Sequence, residues 1–179
     1  MKNLFHDLPT GEDIPSEVYI VVENPRGSYG KVEYNKDLGV FMLDRASYAP
    51  LPYPVEYGFI PQCWNASDDD SADAICLCSQ VMYPGIVIKM RVLGLLNMDD
   101  SGEEDNKVFG VPVDDPVFNS VKDMSDIGEH RIKEIEFFFS NYKKLMKNKY
   151  VNLLGWKDKD YALNFVKEGI DSYKEKFKK

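Results

Sequence analysis

The sequence is poor in cysteine and histidine: its 179 residues include three of the former and two of the latter. An odd number of cysteines does not suit a disulfide framework, which favours a protein of the reducing cytoplasm. His6 and His130 lie far along the chain from Cys76 and Cys78, so the spacing does not favour a zinc site. No histidine stands beside a serine or cysteine, and a nucleophile activated by such a base is not indicated.

The sequence also lacks an excess of basic residues and any long apolar run. Lysine and arginine number 22 against 30 aspartates and glutamates, a formal net charge of −8. Nucleic-acid binding and attachment to anionic membranes both rely on basic surfaces, so we expect neither partner. There is no apolar run of about 18 residues, which a transmembrane helix would need. Residues 1–15 lack the continuous apolar stretch of a signal peptide, and we expect no secretory leader.

The residues that are present suit one domain of ordinary size. Hydrophobic residues make up 44% of the chain and aromatic residues 13%, and we expect a single domain over residues 1–179. Short β-branched and aromatic segments between turn residues predict strands at 18–23, 31–35, 40–44, 74–79, 87–96 and 107–113. The stretch 47–61 contains several prolines and is predicted to be non-helical. This pattern is typical of a small barrel or sandwich.

The last third of the chain changes to a helical pattern. Between residues 128 and 147, apolar side chains recur every three or four residues, which predicts an amphipathic helix that includes Tyr142 and Lys143. A strand is predicted at 149–156, and a second amphipathic helix from about Asp158 onward. The expected fold class is therefore α+β and mainly β, with the barrel or sandwich first and helices flanking it at the C-terminal end.

Two acidic clusters interrupt the strand pattern. The first places Asp68, Asp69, Asp70 and Asp73 immediately before a predicted strand, and the second spans residues 99–105. Each cluster alone is most simply a solvated turn. An EF-hand calcium loop counted from Asp68 fails at positions 5, 6 and 12, where alanine, aspartate and serine replace an oxygen ligand, glycine and glutamate.

Other charged side chains and tyrosines stand elsewhere in the strand pattern, at positions that strand stability alone would not favour. Taken alone, Lys31 and Glu33 are most simply a pair on the exposed face of one strand. Each tyrosine is most simply a core residue whose hydroxyl lies at the edge of the core. Taken together, the carboxylates suit hard divalent cations, whereas lysine, arginine and tyrosine suit phosphate oxygens. A phosphorylated substrate that carries Mg²⁺ satisfies both sets. Metal-coordinated water would then be the nucleophile, with an aspartate to orient it or accept its proton.

The ordered motifs resemble those of the magnesium-dependent family I of soluble inorganic pyrophosphatases. The motif D-x-D-x-x-D stands at Asp68–Asp73, and D-x-G-E-x-D-x-K stands at Asp100–Lys107. Shorter elements of the family match Glu23–Pro25, Lys31–Glu33, Asp44–Arg45, Tyr53–Ile60 and Tyr142–Lys143. Any one of these matches is weak evidence for the family. The ordered set, which runs from about Ile14 to Trp156, is highly specific for it.

The resemblance implies a cytoplasmic hydrolase of phosphate metabolism that splits pyrophosphate into two phosphates. It implies an OB-like five-stranded barrel with flanking C-terminal helices, in a homo-oligomer for which a hexamer is favoured. It also implies several Mg²⁺ ions, some arriving with the pyrophosphate, bound by Asp68, Asp73, Asp100, Asp105, Glu23 and Glu33. Asp70 would be the base, and the phosphoryl groups would be held by Lys31, Arg45, Tyr53, Tyr57, Lys107, Tyr142 and Lys143. Lys31, Arg45 and Tyr57 are assigned to catalysis as well as to binding.

The chain departs from the family pattern inside the first acidic motif. Asp69 and Ser71 stand where the family usually has glycine and proline, which permit or fix particular backbone angles. Every expected ligand position keeps its carboxylate, which favours an active enzyme. Two alternatives stay open on the sequence: a degenerate relative that binds metal or polyphosphate with little turnover, and an OB-type binding module for oligonucleotides. The net charge and the acidic clusters argue against the second.

Overall fold

The computed structural model describes residues 3–177, which form a β-barrel, a separate β-hairpin and two helices. The strands are β1 (Glu17–Asn24), β2 (Gly30–Asn35), β3 (Val40–Ala46), β4 (Glu56–Asn65), β5 (Asp70–Cys76), β6 (Val87–Asp100), β7 (Glu103–Glu104), β8 (Lys107–Pro112) and β9 (Val151–Lys157). The helices are α1 (Glu129–Asn141) and α2 (Lys159–Phe177). Neither helix has a stretch long and apolar enough to cross a membrane.

Five strands close the barrel in the order β1, β4, β5, β8, β6 and back to β1. The pairing of β5 with β8 is parallel, and the other four pairings are antiparallel. This is a mixed, OB-like barrel, which confirms the predicted fold class and decides between the barrel and the sandwich. Strand β6 is long enough to pair with β1 and β8 and also with β9, which lies outside the ring.

The core follows from the side-chain alternation of the strands. Val18, Ile20 and Val22 of β1 are fully buried in one cluster with apolar residues of α2, while Val21 packs in another around Phe5. A third cluster lies between the barrel and α1. Gly58 lies where β4 passes β1, and an added Cβ would stand 1.9 Å from the carbonyl oxygen of Val21, so only glycine fits there.

Strand β4 was not predicted, because its first half belongs to the proline-rich stretch 47–61. The pairing of β4 with β5 shifts register between Phe59 and Trp64, and Gln62 has a positive φ of 50°. This irregularity accommodates Pro61, which cannot donate a hydrogen bond to a regular ladder. The bounds predicted for the strand at residues 74–79 are wrong, because β5 begins at Asp70 and ends at Cys76. Asp70 and Asp73 therefore lie on a strand and not in a loop before it.

The first helix is shorter than its apolar periodicity predicts. Helix α1 ends at Asn141, and the backbone N–H of Tyr142 makes the closing bond to the carbonyl of Phe138. Beyond it the chain forms successive tight turns, in which Lys144 bonds to Asn141 and Met146 bonds to Lys143. The placement of Tyr142 and Lys143 inside the helix is therefore wrong: they cap it and follow it.

Candidate active site

A polar cleft beside the barrel collects side chains from elements that are distant in sequence. All but two of the predicted site residues line it: Glu23, Lys31, Glu33, Tyr53, Tyr57, Asp68, Asp70, Asp73, Asp100, Asp105, Tyr142 and Lys143. The exceptions are Lys107, which contacts two of the lining carboxylates from below, and Arg45, which lies in an adjoining cleft with Lys31, Tyr53 and Tyr142. The fold therefore brings together both the acidic and the phosphate-binding candidates.

Lys107 is the buried centre of the acidic group. Its ammonium donates to Asp73 and Asp105, and the whole residue is 1% exposed. Burial disfavours the charge of Lys107, but the two carboxylates outweigh this effect and raise its pKa. The neighbouring strands β5 and β8 explain the contact, because Asp73 and Lys107 are register partners in their parallel pairing.

Asp73 is held from a second side by Tyr57. The Tyr57 hydroxyl donates to a carboxylate oxygen of Asp73 at 2.6 Å. Burial raises the pKa of Asp73 although Lys107 opposes the change, and it raises the pKa of Tyr57 well above its ordinary value, so the hydroxyl stays protonated as a donor. The arrangement fixes the orientation of this carboxylate towards the cleft.

Two more carboxylates of the cleft are unfavourably placed for a bare negative charge. Burial raises the pKa of Glu23 to about 8, even though its carboxylate accepts the backbone N–H of Tyr34 at 2.7 Å. Burial and the charge of Asp73 raise the pKa of Asp68 to about 6. A concentrated positive charge in the cleft would offset both effects, and oxygen-only donor sets of this kind suit hard divalent cations.

Two further carboxylates of the cleft are each paired with a lysine. Lys143 donates to Asp100, and Lys31 contacts Glu33. Burial lowers the pKa of Lys143, while its hydrogen bond lowers that of Asp100 in spite of burial. Within residues 3–177, no three histidine, cysteine, aspartate or glutamate side chains converge on a single metal-binding point. Rotation of these paired carboxylates towards the cleft would be needed to share one cation.

Asp70 is oriented by the backbone of Ser71 and by Lys36, a residue that the sequence did not single out. Its carboxylate accepts from Lys36 and from the backbone N–H of Ser71 at 2.6 Å. Lys36 comes from the turn after β2 and also lines the cleft. Strand alternation from Lys31 and Glu33 does not extend to a residue in a turn, so no sequence signal identified Lys36.

Asp69 does not line the cleft, unlike its two neighbours in the first acidic motif. Its carboxylate accepts from Lys176 near the end of α2. Its backbone is left-handed, with φ at 56°, a conformation for which aspartate is among the better non-glycine residues. The ligand set that the resemblance implies does not include Asp69, and the direction of its side chain, away from the cleft, agrees with that omission.

Comparison with known proteins gives one consistent family. A family model described as inorganic pyrophosphatase matches residues 20–174. A protein of Haloferax volcanii named inorganic pyrophosphatase is 42% identical over 177 residues, covering 99% of each chain. One of the same name from Picrophilus torridus is 43% identical over 175 residues, covering 97% of this chain and 98% of that one.

Solved structures agree with the sequence matches. The crystal structure of the inorganic pyrophosphatase from Thermus thermophilus superposes with a TM-score of 0.92 at 40% identity, covering 97% of this chain and 99% of that one. The enzyme of the same name from Helicobacter pylori gives a TM-score of 0.88 at 32% identity, over 93% and 99% of the two chains. The shared fold therefore covers nearly the whole of this chain.

Proposed function

The chain belongs to the inorganic pyrophosphatase family and hydrolyses pyrophosphate to two phosphates, and from this premise we propose that the polar cleft is its active site. The observation that carries the proposal is the meeting of eight carboxylates with lysine and tyrosine donors in one cleft. Neither an isolated anion nor an isolated cation suits both sets. Pyrophosphate bound together with several Mg²⁺ ions does.

The metal-binding residues in this proposal are Asp68, Asp73, Asp100, Asp105, Glu23 and Glu33. The raised pKa values of Glu23 and Asp68 support it, because those groups gain most from a nearby cation. Bound Mg²⁺ would supply charge neutralisation and would lower the pKa of a coordinated water, which makes that water a better nucleophile. The oxygen-only donor set favours Mg²⁺ over metals that prefer nitrogen or sulfur.

The proton of the attacking water passes to Asp70 in this mechanism. Asp70 lines the cleft beside Asp68 and Asp73, and its carboxylate is fixed by Lys36 and the Ser71 N–H. A carboxylate held in this way can orient water and accept its proton without reorganising. Tyr57 stays protonated and holds Asp73 in place.

The phosphoryl groups are bound by the basic and tyrosine side chains around the cleft. Lys31 and Arg45 stand on the β2–β3 hairpin, where they are register partners, and Lys143 follows α1. Tyr53 and Tyr142 line both the main cleft and the adjoining one. Charged donors from these two separate elements would stabilise the charge that develops on the phosphoryl oxygens. Lys107 is the remaining candidate of this set, and its buried ammonium contacts Asp73 and Asp105.

A cytoplasmic homo-oligomer, with a hexamer as the favoured assembly, is part of the same proposal. Free buried cysteines support a reducing environment. Large apolar side chains that a monomer leaves exposed support an interface, among them Leu43 at 68% and Tyr83 at 74%. Sedimentation velocity tests the assembly directly: a single species at the monomer mass would contradict it.

The proposal is tested by phosphate release from pyrophosphate with Mg²⁺, with Mn²⁺ or Zn²⁺, and with excess chelator. We expect rapid release with Mg²⁺, loss with chelator, and little release from ATP or tripolyphosphate as competing substrates. Equal release with and without chelator would contradict the metal-dependent mechanism. A low rate with tight Mg²⁺ binding would favour the degenerate-relative alternative, and binding of single-stranded oligonucleotide at physiological salt would favour the binding module.

A further inference from the structure

The short turn between β4 and β5 carries Asp68 and leads directly into Asp70, the first residue of β5, and a distant residue contacts both sides of this turn. Trp64 pairs with Ser71 and Asn65 pairs with Asp70, so only residues 66–69 make the turn. Lys176, near the end of α2, donates to Asp69 at one end of it. The same ammonium lies 3.9 Å from the ring centroid of Trp64 at the other end.

The two partners of Lys176 are anchored differently. Trp64 is 8% exposed and packs edge-on against Phe177, with ring centroids 5.1 Å apart. This half of the contact is therefore rigid. The side chain of Asp69 is 77% exposed and contacts Lys176 from a left-handed backbone position. The lysine thus links the exposed end of the turn to a buried aromatic side chain.

We propose that Asp69, Lys176 and Trp64 form a clasp that positions Asp68 and Asp70 for the cation in the cleft. The idea rests on the proposed active site, and it assigns Lys176 and Asp69 as positioning residues that do not touch metal or substrate. Asp68 and Asp70 flank Asp69 in sequence, and the N–H of Asp70 donates to Asp68 at 3.2 Å. Holding Asp69 outward therefore restrains both neighbours inward, where they line the cleft.

The clasp offsets two costs that the turn otherwise carries. Three consecutive aspartates repel one another, and a left-handed residue other than glycine is strained. Lys176 neutralises the one carboxylate that does not line the cleft, while its contact with Trp64 fixes where that carboxylate must lie. The turn is then already shaped when the cation arrives, so less conformational freedom is lost on binding.

The direction in which Lys176→Met changes Mg²⁺ affinity distinguishes a positioning role from a simple effect of charge. Lys176→Met removes a positive charge and leaves Asp69 unpaired, so charge alone predicts tighter Mg²⁺ binding. Loss of positioning predicts weaker binding. Lys174→Met is the matched control, because Lys174 has the same charge on the same turn of α2 but pairs with Asp171 of its own helix at 2.8 Å.

Calorimetric titration of Mg²⁺ without substrate, with thermal unfolding recorded on each variant, is the test. We expect Lys176→Met to weaken Mg²⁺ binding about two- to five-fold relative to Lys174→Met, the range that corresponds to a largely exposed ion pair. Lys176→Arg should keep the wild-type affinity. Within an Asp69→Asn background, Lys176→Met should have no further effect, because the pair is already broken.

Three results would overturn the clasp. If Lys176→Met binds Mg²⁺ as tightly as Lys174→Met, or more tightly, Lys176 has no positioning role. The proposed active site would still stand. A lower unfolding temperature of Lys176→Met with unchanged Mg²⁺ affinity reduces the contact to a structural one. The proposed active site has its own control: if Asp68→Asn leaves Mg²⁺ binding unchanged, the metal site fails and the clasp fails with it.

Discussion

Replacement of Lys107 by methionine should destabilise the protein far more than loss of any surface lysine. Methionine has a similar size and shape, so the main change is the loss of a buried ammonium shared by Asp73 and Asp105. Removing one partner of a buried ion pair costs about 3–5 kcal/mol, because the other charge is left uncompensated. The side chains of Asp73 and Asp105 remain 21% and 16% exposed, so we expect the lower figure of about 2–3 kcal/mol.

Thermal and urea unfolding in excess chelator measure this loss, which should lower the unfolding temperature by about 4–12 °C for a chain of this size. The control is Lys133→Met, since Lys133 pairs with Glu129 on the exposed face of α1 and that pair is worth about 0.2–1 kcal/mol. Added Mg²⁺ should stabilise Lys107→Met more than it stabilises Lys133→Met, because a cation can compensate the two carboxylates. Equal losses in the two variants would refute the central role of Lys107.

Three further variants probe the cleft and the barrel separately. Lys31→Ala and Arg45→Ala should each lower kcat/KM while calorimetric Mg²⁺ binding persists, because each removes a phosphoryl-facing cation and leaves the carboxylates; loss of the metal site in either would assign these residues to holding the fold or the turns. Gly58→Ala should reduce the free energy of unfolding by about 1–3 kcal/mol or more, because the added methyl cannot fit against the Val21 carbonyl. Gly128→Ala, where an added methyl meets nothing within 4 Å, is its control, and equal unfolding midpoints would contradict the close approach of β1 and β4.

The ordered motifs in the sequence predicted most of the side chains that the fold brings to one cleft. Strand periodicity identified the apolar faces of the strands. The types and spacing of the acidic and basic residues indicated a site for divalent cations and phosphate. The roles of individual residues, such as Asp70 as base, stay predictions. Arg45 lies at the margin of the cleft, where its guanidinium pairs with Asp44.

The missed features depend on contacts between distant parts of the chain. Strand β4 carries Pro61 at an irregularity that only its pairing with β5 reveals. The end of α1 at Asn141 could not be predicted, because the apolar periodicity continues past it. Lys176 is 107 residues from Asp69, and no local pattern relates them. Lys36 reaches Asp70 only because the β2–β3 hairpin folds beside the barrel.

The most direct test of the proposed mechanism compares turnover of Asp70→Asn and Asp69→Asn with pyrophosphate at saturating Mg²⁺. The two substitutions remove the same charge one residue apart, but only Asp70 lines the cleft, whereas Asp69 contacts Lys176. Loss of a base that orients the attacking water typically costs about 10²–10⁴-fold, so Asp70→Asn should lose turnover in that range. Asp69→Asn should keep turnover close to that of the wild type once Mg²⁺ is saturating. Equal losses in the two variants would contradict the assignment of Asp70 as the base.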